Sequence, residues 1–317
     1  MRQCTALFRW LACILLPLAT IRLAHGIQKQ AETSAPYTFH IPVDEISLVF
    51  HASDAQGKPV TNLTLDELQL TDDDKQQTQF AMLQSLQDLP IRAGFLFDVS
   101  ASVLKDVGFN RSVIQMYASR LLRKGFDSAF VMQFDTDTLI TQNWTDNDGA
   151  IAGGAAAIGE RSNRLDPLTA IFDSLYITCR DQWAQNRSEA TGNFILLFSD
   201  GEDDASHAYS SEAVDMCQRA HVAIYVFSSS KSQFSDGNKT LTDLARKTGG
   251  RVFVHPRGNK IMEDLAIMET EQRFQYRLTY KASTFVANGS FHRVELRCAI
   301  PRVHIATRSG YYAFARR

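Results

Sequence analysis

The sequence of 317 residues lacks any concentration of positive charge. Its 33 lysine and arginine residues are balanced by 35 aspartate and glutamate residues, the net charge is −2, and no long run of lysine or arginine occurs. Proteins that bind nucleic acids use such residues to neutralise phosphates, so we do not expect this chain to bind a nucleic acid. The charge balance does not exclude an acidic partner that is bound through a metal ion.

Long apolar runs are missing beyond the N-terminus. The stretch MRQCTALFRWLACILLPLATIRLAHG carries two early arginines, a short apolar core and small residues near Gly26. It predicts a secretory signal peptide over 1–26, with an uncleaved membrane anchor as the alternative. We therefore expect an exported protein, periplasmic or secreted, without a membrane span after the signal is removed.

Cysteine is scarce, with five residues and no CxxC motif. Cys4 and Cys13 lie in the predicted signal peptide, which leaves Cys179, Cys217 and Cys298. An odd number permits at most one internal disulfide. We expect these cysteines to pack in the core rather than to stabilise the fold through a disulfide.

The motifs of several enzyme classes are absent as well. The sequence has no GxSxG, HExxH or P-loop pattern, and its eight histidines are scattered along the chain. These patterns mark serine hydrolases, zinc proteases and nucleotide-binding enzymes. We therefore do not expect the protein to be an enzyme.

The hydrophobic pattern divides the chain into segments. A polar lead-in at 27–38 is expected to be disordered, and β-like alternation follows at 39–89. Strands and helices alternate over 90–274, which predicts an α/β domain with a doubly wound, mostly parallel, Rossmann-like sheet. Alternation typical of antiparallel strands returns at 275–317. Because neither β segment is large enough to bury its own faces, we expect the two to form one small β-sandwich, the β module.

Two apolar strands of the predicted α/β domain end in aspartate. The stretch GFLFD ends at Asp98, ILLFSD ends at Asp200, and Ser100 and Ser102 follow the first of these strands. Ligands of open α/β sheets bind at the carboxyl ends of the strands beside the switch point, where the strand order reverses. We therefore expect these oxygen donors to face one crevice. They favour a hard cation, Mg²⁺, with Mn²⁺ and Ca²⁺ as alternatives.

A third loop is expected to contribute to this site. The stretch RLDPLTAIFDSLY places Thr169 immediately before a predicted helix, where a hydroxyl group points outward. Asp166 in the same stretch is an alternative ligand.

The Asp-x-Ser-x-Ser pattern that begins at Asp98, the threonine at position 169 and the SDGED stretch resemble the metal-ion-dependent adhesion site (MIDAS) of von Willebrand factor type A domains. The resemblance implies that Ser100, Ser102 and Thr169 coordinate the metal directly. It also implies that Asp98 and Asp200 hold metal-bound waters. The cation would keep much of its charge and an open position, which an acidic side chain of a protein partner would fill.

The flanking segments are similar to the von Willebrand A-related family described from Acidobacteria. The stretches VFHASDAQGKPVTNLTLDELQLTDD, FQYRLTYKAS and SGYYA carry this similarity, which covers most of 40–314. It implies an architecture rather than an activity. The chain departs from the family at Pro167 and Leu168, which precede Thr169 where the family commonly has two glycines.

Several alternatives remain at the level of sequence. In the first alternative there is no metal site: Ser100 and Ser102 cap the following helix, and Asp98 binds loop amides. The EDD stretch at 202–204 is interpreted as a solvated acidic loop, with a second cation site as the alternative. An alternative function is that of a scaffold whose metal site is vestigial and which binds partners through its β module. A Mg²⁺-dependent phosphohydrolase would use Asp98 as its nucleophile, but such enzymes resemble Asp-x-Asp, and the second position here is Ser100.

Overall fold

The structure is a computed structural model, and it describes residues 45–159, 168–183, 191–230, 232, 234–254, 260–283 and 285–313. The predicted signal peptide at 1–26, the lead-in at 27–38 and the alternative ligand Asp166 lie outside the described residues. Within those ranges, no helix combines the length and apolar character needed to cross a membrane.

Fourteen strands and six α-helices are formed by the described residues. The strands are β1 (Glu45–Ser53), β2 (Leu68–Asp72), β3 (Lys75–Gln77), β4 (Phe80–Leu86), β5 (Ile91–Asp98), β6 (Ser128–Phe134), β7 (Thr138–Thr145), β8 (Gly192–Ser199), β9 (Val222–Ser228), β10 (Val252–Val254), β11 (Gln275–Lys281), β12 (Phe291–Cys298), β13 (His304–Thr307) and β14 (Gly310–Tyr312). The helices are α1 (Val107–Arg120), α2 (Asp148–Ala156), α3 (Ile171–Trp183), α4 (Ser210–Arg219), α5 (Asp236–Thr248) and α6 (Lys260–Arg273). Short 3₁₀ helices cover Leu65–Glu67 and Leu104–Asp106.

A six-stranded sheet lies at the centre, in the order β10-β9-β8-β5-β6-β7. Five strands run parallel, and β7 joins the edge antiparallel to β6. Counted along this part of the chain, the order is 6-5-4-1-2-3, which is the doubly wound arrangement with its switch point between β5 and β8. The prediction of a mostly parallel α/β sheet is confirmed, but strand β7 was not predicted.

The central strands are apolar on both faces because helices cover both sides. Phe95 and Phe97 of β5 belong to one buried cluster together with residues of α1, α2 and α6. Leu96, between them, belongs to a second cluster with residues of α3, α4 and α5. Side chains of a strand alternate between its faces, so a strand covered on both sides reads as a continuous apolar run. This packing fixes the carboxyl ends of β5 and β8 side by side.

Two further sheets, each of four antiparallel strands, combine residues from both ends of the described chain. Their orders are β13-β1-β11-β4 and β14-β12-β2-β3. Strand β1 pairs with β11, and β2 pairs with β12, so strands from before and after the α/β part lie next to each other. Apolar side chains of the two sheets, including Leu48, Leu70 and Leu296, form one shared core. The domain boundaries at 89/90 and 274/275 stay predictions.

A disulfide joins two helices on one face of the central sheet. Cys179 of α3 and Cys217 of α4 are bonded, with 5.0 Å between their Cα atoms, and Cys298 is free. The expectation that the cysteines only pack in the core is wrong for this pair. The sequence alone did not reveal the pairing because it depends on how α3 and α4 pack against each other.

Candidate metal centre

The switch point of the central sheet brings together two of the three predicted ligand loops. Phe97 of β5 lies opposite Phe198 of β8, so Asp98 ends its strand beside Ser199. The Ser199 hydroxyl donates a hydrogen bond of 2.7 Å to Asp98 Oδ2 and accepts one of 3.0 Å from the Gly201 amide. Ser199 thus ties Asp98 to the loop that carries Asp200. Ser199 was not predicted as a site residue, although it directly precedes Asp200 in the sequence.

Asp98 is almost completely buried, with 1% of its surface exposed. The pKa of Asp98 is raised to about 6, chiefly by burial and also by the nearby negative charge of Asp200, against the lowering effect of the hydrogen bonds from Ser100 and Ser199. A buried carboxylate beside a second carboxylate is electrostatically costly. A bound cation would relieve that cost, so the surroundings of Asp98 fit a metal.

The loop after β5 places the two serines next to this carboxylate. The Ser100 amide donates a hydrogen bond of 2.9 Å to Asp98 Oδ1. The Ser100 and Ser102 hydroxyl oxygens lie 3.4 Å apart, with Ser100 buried and Ser102 exposed. The hydrogen bond from the Ser100 amide agrees with the alternative in which Asp98 binds loop amides. However, neither the 3₁₀ helix at Leu104–Asp106 nor α1 has a side-chain cap at its start. The serines therefore do not cap the following helix, and their hydroxyls are available to coordinate a metal ion.

Thr169 is buried two residues before α3, and its main chain joins it to the loop after β8. The Thr169 amide donates to Asp204 Oδ1 at 2.6 Å, and the Asp204 amide donates to the Thr169 carbonyl oxygen at 3.0 Å. The Ala170 amide donates to the carbonyl oxygen of Asp135, one residue beyond β6. Because Asp98 lies opposite Phe134, the last residue of β6, these bonds bring the Thr169 segment to the same edge of the sheet.

One residue of the acidic stretch at 202–204, Asp203, makes contacts that the sequence did not predict. Asp203 Oδ1 accepts hydrogen bonds from the amide of Ile171 at 2.6 Å and from the Ser206 hydroxyl at 2.6 Å. Ser206 Oγ in turn accepts from the amides of Phe172 and Asp173. The first amides of a helix have no partner within the helix, and oxygen atoms satisfy them here. Asp203 therefore binds the start of α3 instead of being free in solvent, whereas Glu202 and Asp204 are exposed, as expected for a solvated loop.

Asp200 is half-buried and lies in a tight loop. Its Oδ1 accepts a hydrogen bond of 3.3 Å from the Glu202 amide. Gly201 has a φ of +86°, and a Cβ atom at this position would lie 2.3 Å from the Gly237 carbonyl oxygen. Only glycine fits this close approach to the start of α5. The backbone thus fixes where Asp200 leaves the sheet.

These contacts define what the carboxyl edge offers chemically. Two carboxylates and the hydroxyls of Ser100, Ser102 and Thr169 come from three loops that are hydrogen-bonded to one another or to neighbouring strands. Oxygen donors of this kind suit hard divalent cations. The residues present therefore fit a metal of the Mg²⁺ class.

A second cluster of potential ligands, which the sequence analysis missed, lies in the antiparallel sheets. Asp72, Asp73 and His292 each offer one atom, and these atoms lie within 4.8 Å of one another. Asp72 is the last residue of β2 and Asp73 follows it, whereas His292 belongs to β12, about 220 residues later. A separation of this size leaves no local pattern in the sequence.

No family model and no curated protein matches the chain. Among solved structures, it is similar to proximal thread matrix protein 1 from the mussel byssus, at 15% identity over 59% of this chain and 48% of that chain, with a TM-score of 0.45. The chain thus spans about half of the mussel protein, one structure of which has a zinc-occupied MIDAS motif. BatB from Bacteroides thetaiotaomicron matches at 15% identity over 57% of this chain and 96% of that chain, with a TM-score of 0.45. An aerotolerance-related membrane protein from Bacteroides fragilis matches at 16% identity over 56% and 96%, with a TM-score of 0.44.

Similarities of this size do not identify a family. The strand order and directions of the central sheet agree with the von Willebrand A-like fold that the sequence predicts. The more specific resemblance to the family described from Acidobacteria stays a prediction.

Proposed function

We propose that this protein binds a divalent cation at the carboxyl edge of its central sheet and uses it to engage an acidic group on a protein partner. The observation that carries the proposal is the group formed by Asp98, Ser100 and Ser102 at the switch point. Asp98 is buried beside Asp200 there, in surroundings that favour an added positive charge.

The residues have different roles in this proposal. Ser100, Ser102 and Thr169 supply neutral hydroxyl ligands, and Asp98 and Asp200 orient metal-bound waters. A cation with mainly neutral ligands keeps much of its charge, so a carboxylate from outside binds to it strongly. Mg²⁺ is the proposed ion, with Mn²⁺ and Ca²⁺ as alternatives.

We propose binding without catalysis. A phosphohydrolase of the type considered above needs a free carboxylate oxygen at Asp98 to attack phosphorus. Both oxygens of Asp98 accept hydrogen bonds instead, Oδ1 from the Ser100 amide and Oδ2 from the Ser199 hydroxyl. The arrangement is better suited to holding a charge in place than to forming a covalent intermediate.

An exported location, periplasmic or secreted, is also part of the proposal. The bond between Cys179 and Cys217 supports it, because disulfides persist mainly in oxidising compartments. The chain would be expected to contain the oxidised pair when it is isolated from its native host. Mass spectrometry of the untreated and the reduced protein checks this, and free thiols at both positions would contradict the proposed location.

The central test is titration calorimetry with Mg²⁺ on wild type and on Ser100→Ala. We expect Ser100→Ala to lose Mg²⁺ binding, because the variant lacks a proposed ligand. Ser112→Ala is the matched control, since Ser112 is exposed on α1 and its hydroxyl bonds only to the Phe109 carbonyl oxygen among the described contacts. Equal Mg²⁺ affinity in Ser100→Ala and wild type would disprove the metal site.

Partner capture from host extract tests the second half of the proposal. Capture by the wild-type protein should require Mg²⁺ or Mn²⁺ and should stop in EDTA. Capture that is the same with metal and with chelator would favour the alternative of a scaffold that acts through its β module.

A further inference from the structure

We propose that Asp72, Asp73 and His292 form a second metal site, for a zinc-type divalent cation. The site lies in the antiparallel sheets, and the proposal is independent of the site at the switch point. The ligand atoms of the three residues lie within 4.8 Å of one another. Imidazole together with carboxylate oxygens suits zinc and related transition metals better than it suits Mg²⁺.

The strands bring these residues together at one end of the sheet. Asp72 is the last residue of β2 and lies opposite Val294 of β12. Asp72 and His292 are both buried, on the same side of the sheet as Leu70 and Val294, whose side chains belong to the shared core. Two of the ligands therefore point inward from neighbouring strands.

Asp73 reaches the cluster from the turn between β2 and β3. Asp73 and Asp74 have φ values of 47° and 62°, as in the two-residue turns that join twisted antiparallel strands. The Asp73 amide donates to the Arg293 carbonyl oxygen, and Asp73 Oδ1 accepts from the Arg293 amide, both at 2.9 Å. These bonds leave Asp73 Oδ2 facing His292.

Asp72 is held in one orientation by two tyrosines. The hydroxyls of Tyr280 and Tyr311 donate to Asp72 Oδ2 at 2.8 and 3.0 Å. The other oxygen, Oδ1, is the one that lies 3.8 Å from His292 Nδ1. Outer hydrogen bonds of this kind orient metal ligands and raise the affinity of a site.

His292 carries the unexplained feature of the cluster. Only 7% of the residue is exposed, yet its buried Nδ1 atom forms no hydrogen bond. Nδ1 lies 2.9 Å from Asp73 Oδ2, an ion-pair distance, although it takes part in no hydrogen bond. The other ring nitrogen, Nε2, lies 3.3 Å from the Ser290 hydroxyl. A ring that stacks on Tyr311 is thus held with one nitrogen turned toward two carboxylates.

The spacing of the donors matches a small metal ion. In a tetrahedral site with bonds of about 2.0–2.1 Å, neighbouring ligand atoms are about 3.4 Å apart. The distances from His292 Nδ1 are 2.9 Å to Asp73 and 3.8 Å to Asp72, on either side of that value. Three protein ligands would leave the fourth position to water or to an incoming group. The competing arrangement is a protonated His292 that forms an ion pair with both carboxylates.

The test uses zinc titrations of the full chain in excess Mg²⁺, with all variants made in the Ser100→Ala background. Asp73→Asn removes one charged ligand, keeps an oxygen to accept from Arg293, and tolerates a positive φ. Asp74→Asn is the matched control, because it changes the same charge at the neighbouring position of the same turn. His292→Phe keeps an aromatic ring for stacking on Tyr311 but has no ligand atom.

We expect one Zn²⁺ per chain in the Ser100→Ala protein. We also expect Zn²⁺ affinity at least about 10-fold weaker in Asp73→Asn and unchanged in Asp74→Asn. Co²⁺ should give a visible absorption band that disappears in His292→Phe. Equal Zn²⁺ affinity in Asp73→Asn and Asp74→Asn would overturn the site. The absence of saturable Zn²⁺ binding in the Ser100→Ala protein would also overturn it and would assign the cluster to the ion pair.

Because the background already lacks Ser100, loss of the Mg²⁺ site does not affect these results. Asp73 lies at the surface, so its variant is expected to fold even if His292→Phe does not. Failure of the Mg²⁺ proposal is observed in the Mg²⁺ titration of wild type against Ser100→Ala, and failure of the zinc-type proposal in the Zn²⁺ titrations within the Ser100→Ala background.

Discussion

The two candidate metal centres of this chain are built in different ways. The switch-point centre uses oxygen atoms from loops that follow parallel strands, and it gathers Asp98, Ser100 and Ser102 within five residues of sequence. The centre in the antiparallel sheets joins Asp72 and Asp73 to His292 across about 220 residues. The first kind of site can be inferred from strand ends, whereas the second exists only once distant strands have paired.

The difference in donors implies a difference in selectivity. Hydroxyl and carboxylate oxygens favour Mg²⁺, whereas an imidazole nitrogen shifts preference toward zinc and its neighbours. If both proposals hold, the chain separates two classes of cation by fold region. Changes to one metal centre should then leave the cation affinity of the other unaffected.

The largest expected effect comes from the disulfide between Cys179 and Cys217, which lies in the α/β part. The bond closes a loop over a sequence separation of 38 residues, for which chain entropy gives about 4 kcal/mol of stability. The double variant Cys179→Ala/Cys217→Ala should lose about that amount in urea unfolding. Its Mg²⁺ affinity should fall, since Thr169 lies two residues before the linked helix α3.

Zn²⁺ affinity should not change in this double variant, because the second cluster lies in the antiparallel sheets, whereas the disulfide joins helices α3 and α4. Cys298→Ala, which removes the free cysteine, is the control and should change stability little. Equal losses of Mg²⁺ and Zn²⁺ affinity in the double variant would show that the two regions are coupled.

Much of the switch-point centre was predictable because its signals are local. Asp98 ends the buried strand β5 and Asp200 directly follows the buried strand β8, and the order of parallel strands then places them at one edge. The sequence did not show that Asp203 caps α3, because its partners lie about 30 residues earlier in the chain. Nor did it show the orientation of Ser199.

The features that were missed depend on tertiary contacts. Strand β7, with the sequence TLITQNWT, is an edge strand of intermediate burial, so it has no continuous apolar run to mark it. The cysteine pairing depends on the packing of α3 against α4. The cluster around His292 depends on the register of β12 against β2, where each residue taken alone looks like an ordinary surface or core position.

The second prediction concerns the buried charge of Asp98. Its pKa in the folded protein is raised from 3.8 to about 6, chiefly by burial, so the folded state favours the protonated carboxyl group. The resulting stability is fully present below pH 3.8 and is lost as the pH rises through about 6. For the metal-free protein the loss amounts to about 3 kcal/mol.

Asp98→Asn should therefore be more stable than metal-free wild type at pH 7.5, although it no longer binds Mg²⁺. The gain should be about 2 kcal/mol smaller at pH 4.5, where Asp98 of the folded wild type is largely protonated. Urea unfolding in chelator at the two pH values measures the difference. A stability difference that is independent of pH would show that the Asp98 carboxylate is not destabilising in the metal-free protein.

The third prediction concerns Thr169, whose hydroxyl is a proposed ligand. Thr169→Ala should weaken metal-dependent partner binding by about 2 kcal/mol, by analogy with an unmade hydrogen bond to a charged group. The main-chain bonds to Asp204 do not depend on the side chain, so the fold should persist. Thr169→Ser should restore binding because it restores the hydroxyl. A serine variant that binds as weakly as the alanine variant would assign the effect to packing instead.

The smallest effect separates two roles of the acidic loop after β8. If the loop acts through its negative field, removing either Glu202 or Asp203 should weaken Mg²⁺ binding to a similar extent. If Asp203 acts as a cap, Asp203→Ala should lower stability by about 1 kcal/mol because the amide of Ile171 loses its partner. Glu202→Ala, at an exposed neighbouring position, should leave stability unchanged. Urea unfolding and Mg²⁺ titration of both variants distinguish the roles, since only the cap predicts a difference between two residues of equal charge.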